Sequence, residues 1–214
     1  MKLATKKEIE EIKNLFLLHY PEKKSELEYN NLYQLIIAVM LSAQCTDKRV
    51  NVITPKLFEA FPDIESLAKA ELENVIEFVK TCSYFNNKAK NMILLAQKVM
   101  SEFDGEIPLT QKELMSLNGV GQKTANVVLI EFQDANVMAV DTHVYRTSHR
   151  LGLSNATNTK NTEAELSSKF KTDLAQLHQA MVLFGRYVCK AKNPDCENCF
   201  LTEFCKTKEQ FKAK

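Results

Sequence analysis

Four of the six cysteines in this 214-residue chain fall within seventeen consecutive positions, spaced Cys189-x6-Cys196-x2-Cys199-x5-Cys205. The segment is polar and rich in lysine, so it offers no apolar core in which four thiols could hide as small packing groups. Pro194 and Asn198 shape the loops between them, and the tight central pair lets all four sulfurs reach one tetrahedral point. The chain must therefore close its C-terminal end around a metal. A structural zinc ion held by four thiolates and a 4Fe-4S cluster both use such a ligand set. Structural zinc sites commonly use two closely spaced cysteine pairs and only one exists here, which tilts the spacing away from zinc without deciding the metal. Neither occupant leaves an open position for a substrate, so a structural or orienting role is favoured. Cys45 and Cys82 stand apart and read as small buried packing groups.

A hydrophobic content of 45% is enough to bury a real core in one domain or two modest ones. The longest apolar run, Leu32 to Ala43, is broken by Tyr33, Gln34 and Ser42 and is too short to cross a bilayer. The N-terminus leads from Lys2, Lys6 and Lys7 into the mixed pattern Glu8-Ile9-Glu10-Glu11-Ile12, unlike a signal peptide. The expected compartment is the cytosol, where cysteines stay reduced or bind metal. A net charge of +1 gives no bulk electrostatic reason to bind a polyanion, so any such affinity must be local.

The periodicity is helical throughout. Ile9, Ile12, Leu15 and Phe16 recur at helical spacing, as do Leu72, Val75, Ile76 and Val79, and then Ile93, Ala96 and Met100. No comparable period-two run of β-branched residues exists, so the fold class is all-α, with about ten helices. Asp63 precedes a helix expected over 64–79, and Thr110 with Glu113 and Thr162 with Glu165 read as capping boxes. Pro55 marks either a kink or a fresh helix start at Thr54.

Glycine is scarce, with five in the chain, so the pair Gly119 and Gly121 signals a backbone demand. A helix opened by Thr110 is expected to end near Leu117, the Gly119-Val120-Gly121 turn reverses the chain, and a second helix runs to Phe132. This is a helix-hairpin-helix. Its outward-facing N–H groups would suit a phosphate and would grip a nucleic-acid backbone without reading sequence. Lys123 falls in the first turn of the second helix. A cation there opposes the helix dipole, and burial opposes it again, so both effects favour a neutral, nucleophilic amine. Farther on, Asp141 follows the apolar stretch Val137-Met138-Ala139-Val140 and precedes a helical pattern, the position of an N-cap. His143 and His149 read as ordinary helix residues.

Together, Leu117 to Leu129, Val140-Asp141-Thr142-His143 and the cysteine tail resemble the endonuclease III family of bifunctional helix-hairpin-helix DNA glycosylases. Leu41 to Asp47 and Tyr84 to Ala89 are similar to the same family in the expected order, so the resemblance runs from about Leu32 to Cys205. It implies two helical lobes with a DNA cleft between them. One is a six-helix barrel over 24–134 carrying the hairpin at about 110–133; the other is an iron-sulfur lobe made of 1–23 and 135–214. It implies that Lys123 attacks C1′ of a damaged pyrimidine nucleotide and forms a Schiff base, with β-elimination nicking the strand, and that Asp141 is the catalytic carboxylate. A carboxylate beside Lys123 would oppose the amine's activation, so Asp141 is expected to shuttle protons and stabilise positive charge on the sugar.

Gln44 and Tyr84 match the positions that fill the gap left by the extruded nucleotide, and Gly119, Val120 and Gly121 match the DNA-gripping hairpin. The resemblance chooses a 4Fe-4S cluster for Cys189, Cys196, Cys199 and Cys205. It further implies phosphate contacts from Arg186, Lys190, Lys192, Lys206, Lys208, Lys212 and Lys214. The expected partner is double-stranded DNA carrying damaged pyrimidines or abasic sites, bound by a cytosolic bacterial monomer with no membrane association. Two residues depart from the family pattern: Asn118 stands where proline is usual, and Tyr84 replaces a smaller aliphatic wedge. An adenine-removing relative lacks the lysine and carries a further domain; a non-catalytic DNA-binding or electron-carrying iron-sulfur protein is the rival from another class.

Overall fold

Helical periodicity without strand signals becomes eleven α-helices among the residues that the computed structural model describes, 2–21 and 24–211, with no strand. In chain order these are α1 (Lys6–His19), α2 (Leu32–Ser42), α3 (Asp47–Ala60), α4 (Ile64–Ala68), α5 (Leu72–Val79) and α6 (Phe85–Glu102). There follow α7 (Gln111–Leu114), α8 (Gln122–Gln133), α9 (Thr142–Arg150), α10 (Thr159–Phe170) and α11 (Leu174–Tyr187). Residues 25–133 form one compact unit, and the described residues before and after them form another.

The first unit is built on α2. Asn31 opens it by accepting from the Gln34 N–H, and residues 35–41 are all buried. A helix that is apolar on every side belongs in a core, and α2 packs against α3, α6 and α8. No helix of the described residues is long and apolar enough to cross a membrane. The helix expected over 64–79 is two helices, α4 and α5. Asp63 caps the first by accepting from the Ser66 N–H at 2.8 Å. The chain leaves the helical path at 69–71, between the end of α4 at Ala68 and the start of α5 at Leu72. With the break at 69–71, Leu67, Val75 and Val79 are all fully buried, and α4 and α5 both pack on α6. Pro55 lies inside a continuous α3 that starts at Asp47 behind its Thr46 cap, not at a new helix start.

In the second unit α1 packs on α10 and α11, and α9 crosses α11. Its core gathers Ile12, Phe16, Val144, Leu166, Leu177 and Phe184, each contributing about 1.5–3 kcal/mol by burial. The α9–α11 crossing needs Gly185, because a β-carbon there would lie 2.8 Å from His143 Cβ. The capping box expected from Thr162 and Glu165 does not form. Asn158 caps α10 one turn earlier, and Thr162 is a buried helix residue whose hydroxyl donates to the Asn158 carbonyl at 2.9 Å. Both residues carry cap chemistry; tertiary packing of Thr162 decides between them.

Candidate functional site

The hairpin starts at Thr110, whose hydroxyl accepts from the Glu113 N–H at 3.2 Å and donates to the Glu113 carboxylate at 2.6 Å. α7 ends at Leu114, earlier than the expected Leu117, and a run of turns carries the chain onward. Gly119 is required twice over. Its φ is +77°, and a β-carbon would lie 2.8 Å from Met40 Cε and 2.9 Å from Asn91 Cβ. Val120 is only 6% exposed and its N–H donates to the Leu117 carbonyl, so it anchors the turn. Gly121 differs from both: it is exposed, and nothing lies within 4 Å of where its β-carbon would be. The first helical bond runs from the Ala125 N–H to the Gly121 carbonyl at 2.9 Å, so the N–H groups of the turn before it lie outside the α8 ladder. Lys123 sits in that turn, half-buried, followed by buried residues from Ala125 to Ile130. Gln111 Nε2 donates to Asn126 Oδ1 at 2.5 Å and binds α7 to α8.

Gln44 and Tyr84 are both exposed and both hold left-handed backbone, with φ of 54° and 57°. Tyr84 is 65% exposed, a large aromatic ring in solvent. Left-handed backbone costs a side-chain-bearing residue about 1 kcal/mol or more, and such strain gathers at functional sites. Two contacts fasten their loops together. Lys88 Nζ, on the buried face of α6, donates to the Leu41 and Ala43 carbonyls at 2.7 Å each, and Cys45 Sγ lies 3.3 Å from Cys82 Sγ. Cys82 is buried as expected, but Cys45 is half-exposed and faces another sulfur, so simple apolar packing does not describe it. The one available sign of Lys88 is a cation set on the apolar stripe of Ala89, Met92 and Leu95.

Asp141 caps α9, and its Oδ1 accepts from the N–H groups of His143 and Val144 at 2.8 Å each. The carboxylate is half-buried and aimed by the helix it opens. At the middle and the end of α9, two arginines do what no local pattern announces. Arg146 Nε donates to the Cys189 carbonyl at 3.0 Å and its Nη2 to the Gly185 carbonyl at 2.6 Å. Arg150 Nη1 donates to the Lys190 carbonyl at 2.7 Å and to Cys189 Sγ at 3.3 Å.

Cys189, Cys196, Cys199 and Cys205 line one cavity together with Arg150, Phe184 and Leu201. Thr202 Oγ1 donates to the carbonyls of Cys196 and Cys199, and Asp195 accepts from the Asn198 side chain at 3.1 Å. Phe200 anchors the loop, stacking on His19 at 3.9 Å and meeting Phe184 edge-on at 5.3 Å. Burial first, and the neighbouring cysteines next, push the Cys196 thiol up; burial likewise pushes up Cys199. Four thiolates held this way need a cationic centre among them.

Of the cations expected near this loop, Lys190, Lys192 and Lys208 are exposed and Arg186 is half-buried. Lys206 is not available: its ammonium pairs with Glu8 Oε1 at 2.5 Å with the side chain 13% exposed. Lys212 and Lys214 lie outside the described residues.

A family model of HhH-GPD superfamily base excision DNA repair proteins matches residues 37–172. A second, the iron-sulfur binding domain of endonuclease III, matches residues 189–205, the span of the four cysteines. Endonuclease III of Rickettsia felis is 40% identical over 198 residues, covering 92% of this chain and 93% of that protein. That of Bacillus subtilis is 39% identical, covering 87% and 86%. A structure of a trapped endonuclease III–DNA covalent intermediate superposes with a TM-score of 0.94 at 36% identity, over 97% of this chain and 99% of that one. A thermostable thymine-DNA glycosylase, at 20% identity, shares the fold with a TM-score of 0.85.

Proposed function

The chain belongs to the endonuclease III family of base-excision-repair DNA glycosylases, with a 4Fe-4S cluster as its cofactor, and we propose that Lys123 is the nucleophile by which it removes damaged pyrimidines from duplex DNA. The observation that carries this reading is the placement of Lys123, half-buried in the first turn of α8 and two residues beyond the open backbone at Gly121. A phosphate on the hairpin would bring the adjoining sugar toward that amine.

The neutral Nζ attacks C1′ of the extruded nucleotide, and the base leaves with the glycosidic electron pair and a proton. The nitrogen gives up one of its two protons, the C1′–O4′ bond breaks with the ring oxygen taking up a proton, and the product is an iminium that keeps one N–H and links Lys123 to the opened sugar. Removal of a C2′ proton then expels the 3′ phosphate and nicks the strand. Asp141 shuttles protons and stabilises positive charge on the sugar, its Oδ1 oriented by the two N–H groups it caps. Gln44 and Tyr84 fill the gap left in the duplex, as polar and aromatic plugs that a helix missing one nucleotide would stack upon.

The cysteine loop works by positioning. Cys189, Cys196, Cys199 and Cys205 hold the cluster, which when bound supplies a rigid closure of the loop and no open ligand position. Closure presents Lys190, Lys192 and Lys208 to phosphates, in keeping with salt-sensitive, sequence-independent DNA binding by a monomer. Residues 24–134 act as the hairpin-bearing domain, and 1–23 with 135–214 as the cluster domain.

Borohydride reduction tests the central step. With duplex DNA carrying an oxidised pyrimidine, the wild-type protein is expected to give a covalent adduct that Lys123→Ala does not. A Lys123→Ala protein that still forms the adduct would remove Lys123 from this role.

A further inference from the structure

Cys45 and Cys82 lie outside the four-cysteine site, with sulfurs 3.3 Å apart. A disulfide bond is about 2.05 Å long, so about 1.2 Å of approach separates the pair from a covalent link. Cys45 directly follows Gln44 and is half-exposed, whereas Cys82 is 3% exposed and stands two residues before Tyr84. Thiols serving as small apolar fillers have no need of a partner sulfur or of nearby cations. Here each has the other, and the charges of Lys88 and Arg49 act on Cys82 as well.

From this geometry we propose that Cys45 and Cys82 form a reversible dithiol–disulfide pair, oxidised by hydroperoxides, that covalently fastens the Gln44 loop to the Tyr84 loop. Bond formation stands on the sulfurs alone; its consequence for turnover rests on the wedge roles given to Gln44 and Tyr84.

Burial first, and the hydrogen bond with Cys45 next, push the Cys82 thiol up to about 11, so Cys82 stays protonated and cannot be the first nucleophile. The accessible sulfur, Cys45 Sγ, attacks as thiolate. It bonds to one peroxide oxygen, the O–O bond breaks, and the departing hydroxide takes up a proton to leave as water. Cys45 then carries a sulfenic acid, its sulfur oxidised by two electrons. Cys82 Sγ attacks Cys45 Sγ, the S–O bond breaks, and the hydroxyl leaves as a second water with the Cys82 proton. Two thiols and one hydrogen peroxide thus become one disulfide and two waters, and a dithiol reductant reverses the change. In a reducing compartment such a bond is transient, the form in which cytosolic disulfides act as sensors.

The bond would tie together two loops that Lys88 already joins through the Leu41 and Ala43 carbonyls. Both wedge residues lie within two positions of a linked cysteine, so the tie removes freedom where DNA entry needs it. A displacement of about 1 Å at such a site can cost tenfold or more in rate.

The test is peptide mass mapping of the cluster-loaded protein after alkylation, with and without stoichiometric hydrogen peroxide, while cluster absorption is followed in parallel. The expected product is a crosslinked peptide pair containing Cys45 and Cys82, reversed by dithiothreitol and absent from Cys45→Ser and Cys82→Ser. Cys82→Ser should instead accumulate a dimedone-reactive sulfenic acid on Cys45. Both cysteines remaining alkylatable, or Cys45 passing to sulfinic acid without a crosslink, would overturn the proposal. For the consequence, kcat/KM on lesion-bearing duplex should fall about tenfold in the oxidised protein and return on reduction. A bond that forms with turnover unchanged overturns the loop-fastening role and counts against the wedge reading, while the redox pair itself stands.

Discussion

Lys88 Nζ and the Ala43 carbonyl oxygen are 2.7 Å apart, so a charge rooted in α6 closes the end of α2 just before Gln44. The same ammonium takes the Leu41 carbonyl, and Lys88 is 8% exposed. Lys88→Met keeps the stem and orphans both carbonyls, a loss of about 2 kcal/mol or more. Melting should show that cost. Kinetics should show more: kcat/KM on lesion-bearing duplex should fall further than the stability loss explains, with Lys88→Arg restoring part of both. A Lys88→Met enzyme with normal kcat/KM would reduce Lys88 to a packing role.

Gly119 and Gly121 should answer differently to the same substitution. Gly119→Ala places a methyl against Met40 and Asn91 at positive φ, and strain plus overpacking should cost about 2–4 kcal/mol, read as a lower melting temperature. Gly121→Ala meets open space, so stability should hold while affinity for duplex DNA weakens. Equal stability losses would mean that Gly121 is structural too.

Asp141→Asn tests charge against shape. The amide can still accept from His143 and Val144, so α9 keeps its cap. Turnover is expected to fall about 100-fold or more with DNA affinity near normal. A large loss of binding would point to a positioning role instead.

Several of these positions are legible in the chain, and the others are not, for a physical reason. Caps are local chemistry. Asp63, Thr110 and Asp141 bond to N–H groups two or three residues away, and short patterns announce them. The four-cysteine spacing is legible in the same way. Thr162 misleads because Asn158 offers equal cap chemistry one turn earlier, and only burial of Thr162 settles the choice. Lys88 reaches across 45 and 47 positions to its carbonyls, and Arg150 across 39 to Cys189. Such partners are set by how helices pack, and no periodicity carries them.

Glu8 makes stability depend on acid. Its bond with Lys206, then those with Thr5, hold its carboxyl down at about 2 against an ordinary 4.5. A depressed carboxyl stabilises the fold above the ordinary value and stops doing so as pH falls through the lowered one. The melting-temperature gap between wild type and Glu8→Gln should therefore be full near neutral pH and close between about pH 4.5 and about pH 2. A gap unchanged across that range would mean the ion pair contributes nothing.

Helix α9 has Asp141 at its start and Arg150 as its last residue, nine residues that span about 13 Å. Arg146 and Arg150 hold the Cys189 loop from that far end. One short rod thus joins the metal-binding loop to the axis along which the carboxylate points. Displacing the Cys189 loop would therefore tilt a lever whose opposite end carries Asp141.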